Sequence, residues 1–256
     1  MKEFKRDLLN VTIADSAEEM GLAAAYSIRD SIQLMLAAKD EINMMFAAAP
    51  SQNTTLKNLL AFDDISWNRI NAFHMDEYVG IKPDQRQSFR YYLNAHLFHL
   101  KPFKSVNLIP GDADDIVSAV RNYELLLRTN GIDIIVLGIG ESGHIAFNDP
   151  PEARFDDCQW VRIVDLSDTS RMQQVHDKCF DSFDEVPSKA ITVTIPAFMS
   201  AKVLRCIVPG MTKAIAIEKT LEGPVSESCP ATILRKHEDA ALFIDSDSAS
   251  KLHQGN

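Results

Sequence analysis

Ile132-Asp-Ile-Ile-Val-Leu-Gly138 runs directly into Ile-Gly-Glu-Ser-Gly-His144-Ile-Ala-Phe-Asn-Asp149-Pro-Pro151. The first half is a short apolar, β-branched run, which predicts a strand. The second half opens with glycines 138, 140 and 143 in a G-x-G-x-x-G pattern. After a strand, that pattern raises a dinucleotide-binding turn. Such a turn opens a long helix, however, and Pro150 and Pro151 truncate any helix here within two turns. The segment also lies mid-chain rather than in a first strand–helix–strand unit. The better reading is a tight turn at a strand end, bringing backbone amides at Gly140 and Gly143 and the imidazole of His144 close to a ligand.

Working outward, short β-rich runs alternate with longer stretches of helical periodicity. Strands are predicted at 41–48, 68–75, 132–138, 160–166, 191–195, 203–208 and 241–244, and helices at 16–38, 52–61, 88–97, 114–129, 169–180 and 212–221. Ser16 reads as an N-cap, with Glu19 completing a capping box. The alternation predicts an α/β chain with a mainly parallel, Rossmann-like sheet covered by helices on both faces. No linker or repeat divides the chain, so residues 1–256 are expected to form one domain.

The chain has 256 residues, 46% of them hydrophobic, which is enough for one large core. A formal net charge of -10 argues against nucleic acid as a partner but leaves room for a small anion held by a few local cations. The longest apolar runs are too short to span a bilayer, and no signal peptide is evident. Cys158, Cys179, Cys206 and Cys229 have no metal-ligand or redox spacing, and two sit in apolar surroundings. A reducing cytoplasm fits this pattern, and homo-oligomerisation stays open.

Ligands of parallel sheets gather at the carboxyl ends of strands. The segments there are chemically unusual. His144 and Asp149 supply an imidazole and a carboxylate a few residues apart, with Glu141 a further carboxylate beside them. In His74-Met-Asp-Glu-Tyr-Val-Gly80, Asp76 and Glu77 directly follow a strand. They read either as a solvated acidic turn or as a carboxylate of raised pKa suited to taking a proton next to a carbonyl. Pro209-Gly-Met-Thr-Lys213 ends a strand and opens a helix, so its amides and the Lys213 ammonium could face one anion. Ala49-Pro-Ser-Gln-Asn-Thr54 also leads into a helix, offering Ser51, Gln52, Asn53 and Thr54 either as donors or as plain N-caps.

Met75-Asp-Glu-Tyr-Val-Gly80, the Gly138–Pro150 motif and Lys213-Ala-Ile-Ala together resemble the glucosamine-6-phosphate deaminase/isomerase family over nearly the whole chain. The resemblance implies a three-layer sandwich, shared with ribose-5-phosphate isomerase and phosphogluconolactonase. It implies Asp76 as the proton-transferring base, His144 as the ring-opening group, Asp149 in the place of a glutamate that assists it, and Lys213 on the phosphate. The implied reaction opens a phosphorylated amino sugar, moves a proton between C2 and C1, and releases ammonia, with no metal or organic cofactor. Three positions depart from the family pattern. Ser142 stands for an aspartate, and Pro50-Ser-Gln-Asn-Thr54 replaces a Thr-Gly-Gly-Thr phosphate loop. A phosphate-contacting arginine is replaced by His176, with Arg171 nearby. With Ser142 unable to act as a carboxylate, Asp149 is the expected main partner of His144. A galactosamine-6-phosphate enzyme and a non-catalytic sugar-phosphate sensor are the alternatives, and Phe147-Asn-Asp-Pro150 disfavours a lactonase.

Overall fold

The computed structural model describes residues 1–176 and 178–253. Its strands are β1 (Lys2–Arg6), β2 (Leu9–Ala14), β3 (Ile42–Phe46), β4 (Ile70–His74), β5 (Asp76–Tyr78), β6 (Ser105–Asn107), β7 (Ile134–Leu137), β8 (Val161–Asp165), β9 (Lys189–Val193), β10 (Val203–Val208) and β11 (Ala240–Asp245). The helices are α1 (Ala17–Ala38), α2 (Asn53–Leu60), α3 (Phe89–Leu93), α4 (Ile116–Asn130), α5 (Asp168–His176), α6 (Ile195–Met199) and α7 (Ala214–Glu222). A π-helical turn, Asn94–Phe98, continues α3 to the end expected for that helix. The helix expected over 169–180 stops at His176, and its position 177 lies outside the described residues.

Eight strands form one sheet in the order β1-β2-β11-β10-β7-β3-β4-β6, and every pairing from β2 onward is parallel. Burial on both faces follows from the period-2 geometry of its strands. In β7, Ile134 and Val136 join a core with Met20, Ile28 and Leu56 of α1 and α2, while Ile135 and Leu137 join one with Tyr123, Phe198 and Ile217 of α4, α6 and α7. The three-layer α/β sandwich is therefore present. Ser16 caps α1, accepting from the Glu19 amide at 3.2 Å; the Glu19 carboxylate reaches back to the Asp15 amide rather than to that of Ser16.

Two predicted strands do not join the parallel sheet. β8 pairs antiparallel with β9, and β9 in turn with β5, in a separate sheet, β5-β9-β8. Their cover is a third apolar cluster containing Tyr78, Phe89, Phe147 and Phe180. The β1–β2 hairpin has no counterpart in the sequence reading, because its turn at Asp7 takes a positive φ of 51° without the glycine or asparagine that normally announces one.

The chain fills β3, β4 and β6 outward on one side, then crosses back to β7 and fills β10 and β11 on the other. The switch point thus lies between β3 and β7, where the loops after the two strands diverge and leave a crevice.

Beside this crevice, Glu77 on β5 is fully buried. The solvated acidic turn is excluded for this residue. Its carboxylate accepts from Ser88 Oγ at 2.7 Å, from the amides of Tyr78, Phe89 and Arg90 at 3.0–3.1 Å, and from Arg90 Nε at 3.1 Å. Arg90 also donates to Asp112 and to the Ile81 carbonyl. Arg90→Met keeps much of the side-chain volume but strips a buried carboxylate of its cation. The expected cost is about 3–5 kcal/mol of unfolding free energy. Urea titration monitored by circular dichroism checks it, and a loss below about 1 kcal/mol contradicts this account.

Candidate active site

A pocket opens at the switch point, floored by Ala47–Ser51 after β3 and by Gly138–Gly140 after β7. Asp76, His144 and Lys213 converge on it from three different elements. A larger groove of about 950 Å³ lies between the β1–β2 hairpin and α1. Its guanidinium, Arg205, is already committed to Ser27, Ser31 and Asp239, and the groove contains neither Asp76, His144 nor Lys213. Chemistry rather than size selects the smaller pocket.

Asp76 begins β5, so the sheet pairing Asp76–Thr192 fixes its backbone at the pocket wall. Burial raises its carboxyl well above the ordinary carboxylate range, and the neighbouring Glu77 charge adds to the effect. A base of raised pKa is suited to carbon acids near neutrality. Behind it, His74 is driven down to about 3 by burial and by the Arg90 charge. His74 is therefore a neutral ring, and its Nε2 accepts from the Ile109 amide at 2.7 Å.

His144 packs against Gly140. A Cβ at position 140 would fall 2.1 Å from His144 Nε2, so only glycine lets the imidazole lie on that turn, where both residues line the pocket. Gly143 has φ +89°, and a Cβ there would meet Cys229 Sγ at 2.5 Å. It shapes the turn without lining the pocket. On the far side of the ring, Nδ1 lies 2.8 Å from Ser142 Oγ, which donates to Asp149 Oδ1 at 2.6 Å. The direct Nδ1–Oδ1 separation is 3.5 Å. Asp149 is thus the carboxylate that serves His144, but it does so through Ser142. Burial alone would raise the Asp149 carboxyl; the nearby His144 ring, with the hydroxyls of Ser142 and Ser167, outweighs it and holds the group well below the usual range.

The remaining expected ligands divide. Ser51 lines the pocket, and its hydroxyl accepts from Gln52 Nε2 at 3.2 Å, which leaves its own proton to donate. Gln52 is buried behind it and also reaches the Ile207 carbonyl. Asn53 accepts from Tyr92 Oη at 2.5 Å, and Thr54 turns its methyl toward Gly21 of α1. Neither lines the pocket. Lys213 is buried and lines the pocket, but the Gly210 amide of the same turn donates to the Asp245 carboxylate and is not among the pocket lining. Arg171 lies over Phe183 and donates to the carbonyls of Phe183 and Val186, and His176 is exposed near Glu141. These three side chains lie outside the pocket lining, which α5 supplies instead through Gln173 and Gln174. Helical spacing explains the substitution. Glutamines carry no charge signature, and only the seating of α5 shows which of its positions face inward. Gln173 also accepts from the Glu141 amide at 2.9 Å, tying α5 to the glycine turn.

A family model described as glucosamine-6-phosphate isomerases/6-phosphogluconolactonase matches residues 15–243. The chain belongs to this family. Among its relatives, a glucosamine-6-phosphate deaminase of Streptococcus agalactiae is 35% identical over 205 residues, covering 80% of this chain and 86% of the relative. One from Lactobacillus delbrueckii subsp. bulgaricus is 33% identical, covering 95% and 100%. A solved monomeric glucosamine-6-phosphate deaminase superposes with a TM-score of 0.86 at 31% identity, over 94% of this chain and 98% of its own. A 6-phosphogluconolactonase from Thermotoga maritima, at 21% identity and TM-score 0.75, shares the fold. No helix among the described residues is long and apolar enough to cross a membrane.

Two outcomes follow from this geometry. Gly140→Ala must displace the His144 ring, so turnover is expected to fall at least a hundredfold while the unfolding midpoint moves little. Kinetics and thermal melts on the same preparation check the pair. Asp76 gives a pH signature. Its folded pKa lies above the unfolded value of about 4, so the native state binds the extra proton and stability falls as pH rises from about 4 through the folded value. Asp76→Asn removes that titration. The variant should gain on the parent protein as pH rises and converge with it toward pH 4, as read from urea midpoints. A constant difference across pH would show that Asp76 titrates normally.

Proposed function

We propose that this family member is an amino-sugar-phosphate deaminase/isomerase that converts glucosamine 6-phosphate and water into fructose 6-phosphate and ammonia. The observation that carries the reading is the convergence of a raised-pKa carboxyl, a carboxylate-backed imidazole and a buried lysine on one switch-point pocket. The family membership and the deaminase relatives support it.

The parts divide the reaction among them. His144 lines the pocket, and its Nε2 takes the proton of the anomeric hydroxyl as the C1–O5 bond breaks, then returns it to O5. Asp76 removes the C2 proton of the open-chain aldehyde as O1 takes up a proton to give the enolamine, then delivers its proton to C1 as the amino nitrogen gives one up, leaving a hydroxyl at C1 and an imine at C2. Water adds to that carbon, and ammonia leaves. Lys213 holds the phosphate, with Ser51 donating from the opposite loop. A small phosphorylated substrate fits a cytoplasmic enzyme.

Purified protein offered glucosamine, galactosamine and mannosamine 6-phosphates in heavy water is expected to release ammonia and incorporate deuterium with the glucosamine compound. Saturable binding with neither signal would replace this reading with a sensor, and a preference for the galactosamine compound would replace its substrate. Asp76→Asn should lower solvent exchange by about 10²–10⁴-fold while phosphate-dependent binding survives. Lys213→Met should weaken the phosphorylated sugar about tenfold or more relative to the unphosphorylated one. An unchanged ratio between the two ligands removes Lys213 from the phosphate.

A further inference from the structure

Ser142 departs from the carboxylate that the family pattern places two residues before the histidine, and its geometry gives it a definite task. Its Oγ lies 2.8 Å from His144 Nδ1 and 2.6 Å from Asp149 Oδ1, whereas Nδ1 and Oδ1 are 3.5 Å apart, too far for a good hydrogen bond of their own. Asp149 cannot close that gap by swinging inward. Its other oxygen accepts from Ser167 Oγ and, at 2.8 Å, from Ser170 Oγ, and the Ser170 amide in turn donates to Ser167 Oγ at 3.1 Å. The carboxylate is moored on the α5 side.

Proton counting then fixes the direction of every bond in the chain. The hydroxyls of Ser142, Ser167 and Ser170 all donate to Asp149, which as a carboxylate can only accept. A serine hydroxyl has one proton, and here that proton points at Asp149. Toward the ring, Ser142 Oγ can offer only a lone pair, so His144 Nδ1 must carry a hydrogen. The neutral ring is therefore the Nδ1–H form, which is the minority tautomer of a free imidazole in water. Its unprotonated Nε2 lies on the opposite edge of the ring, over Gly140, which lines the pocket together with His144.

We propose that Ser142 is a positioning residue for ring opening, transmitting the hold of Asp149 to His144 Nδ1 so that Nε2 is the atom that exchanges protons with the sugar. The inference rests on the deaminase reading and deepens it. During ring opening the proton moves from the C1 hydroxyl to Nε2 and on to O5, with C1=O formed as C1–O5 breaks, so His144 ends as it began. The transient imidazolium keeps its Nδ1 proton throughout. Its charge is met through the Ser142 hydroxyl by a carboxylate already bonded to three serines. Ser142 itself neither gains nor loses a proton.

The test reads the tautomer directly. Uniformly ¹⁵N-labelled protein at a pH where the ring is neutral should show His144 with Nδ1 protonated and Nε2 bare, assigned among the seven histidines by comparison with His144→Gln. Ser142→Ala should lose that preference, and Ser142→Thr, which keeps a hydroxyl at the same carbon, should restore it. In turnover, Ser142→Ala should lose about tenfold to a hundredfold on glucosamine 6-phosphate. It should exchange the C2 proton of a 5-O-methyl analogue, which cannot form the pyranose, at the parental rate. An Nε2–H ring in the parent protein overturns the proposal, as does Ser142→Ala with an unchanged tautomer. Equal losses on both substrates would assign Ser142 to general architecture and overturn it too. The spectra need no turnover, so parent protein that releases no ammonia would sink the deaminase reading while the tautomer result still judges the role of Ser142.

Discussion

A carboxylate with no access to water has to be fully satisfied by the protein, and Glu77 meets that demand with five donors gathered from β5, the N-terminus of α3 and the Arg90 guanidinium. Uncompensated burial of such a charge costs several kcal/mol, so these elements cannot drift apart without penalty. The consequence reaches the chemistry. Asp76 is the adjacent residue, and the immobile charge beside it, together with its own burial, is what lifts its carboxyl above the ordinary range. One ion pair thereby holds β5 in place, and its carboxylate adds to the basicity that burial gives Asp76.

The other half of the site depends on the absence of side chains. The chain reverses its order of strand filling between β3 and β7, and this leaves a crevice at their carboxyl ends. Into it the turn after β7 folds His144 back over Gly140 at a distance no Cβ would permit. The same turn is anchored from behind, with the Ala231 amide donating to the Gly143 carbonyl at 2.9 Å. A histidine on a strained, tightly packed turn has little rotational freedom, so the hydrogen bond at Nδ1 decides which proton the pocket sees.

Helix α5 connects the pocket wall to the carboxylate behind His144. Its inward glutamines line the pocket, while Ser170 on its first turn, with Ser167 just ahead of the helix, holds the Asp149 carboxylate. Any ligand that seats α5 through Gln173 and Gln174 also seats the carboxylate behind His144. The cationic contribution at the pocket comes from Lys213 rather than from Arg171, whose guanidinium is occupied by the carbonyls of the segment after α5.

The local code was sufficient for much of this molecule. Strand β10 and the start of α1 are legible because apolar period and cap residues are short-range signals, and the glycine turn with His144 announces itself because only glycine tolerates such approach. The motif around Asp76 likewise marks a strand end that lines the pocket. Pairing partners are a different matter. Nothing local distinguishes β8 and β9, which leave the main sheet for β5, from strands that stay in it, since the apolar pattern is the same in both settings. Nor does the sequence separate Glu77, silent and buried, from Asp76, its neighbour at the pocket. That Gln173 and Gln174 face inward while Arg171 and His176 do not is a question of how α5 is seated. That Ser142 stands between Asp149 and His144 is a matter of tenths of an ångström. Residue type fixes which bonds a side chain can make, but only the packing of distant segments decides which of them it does make.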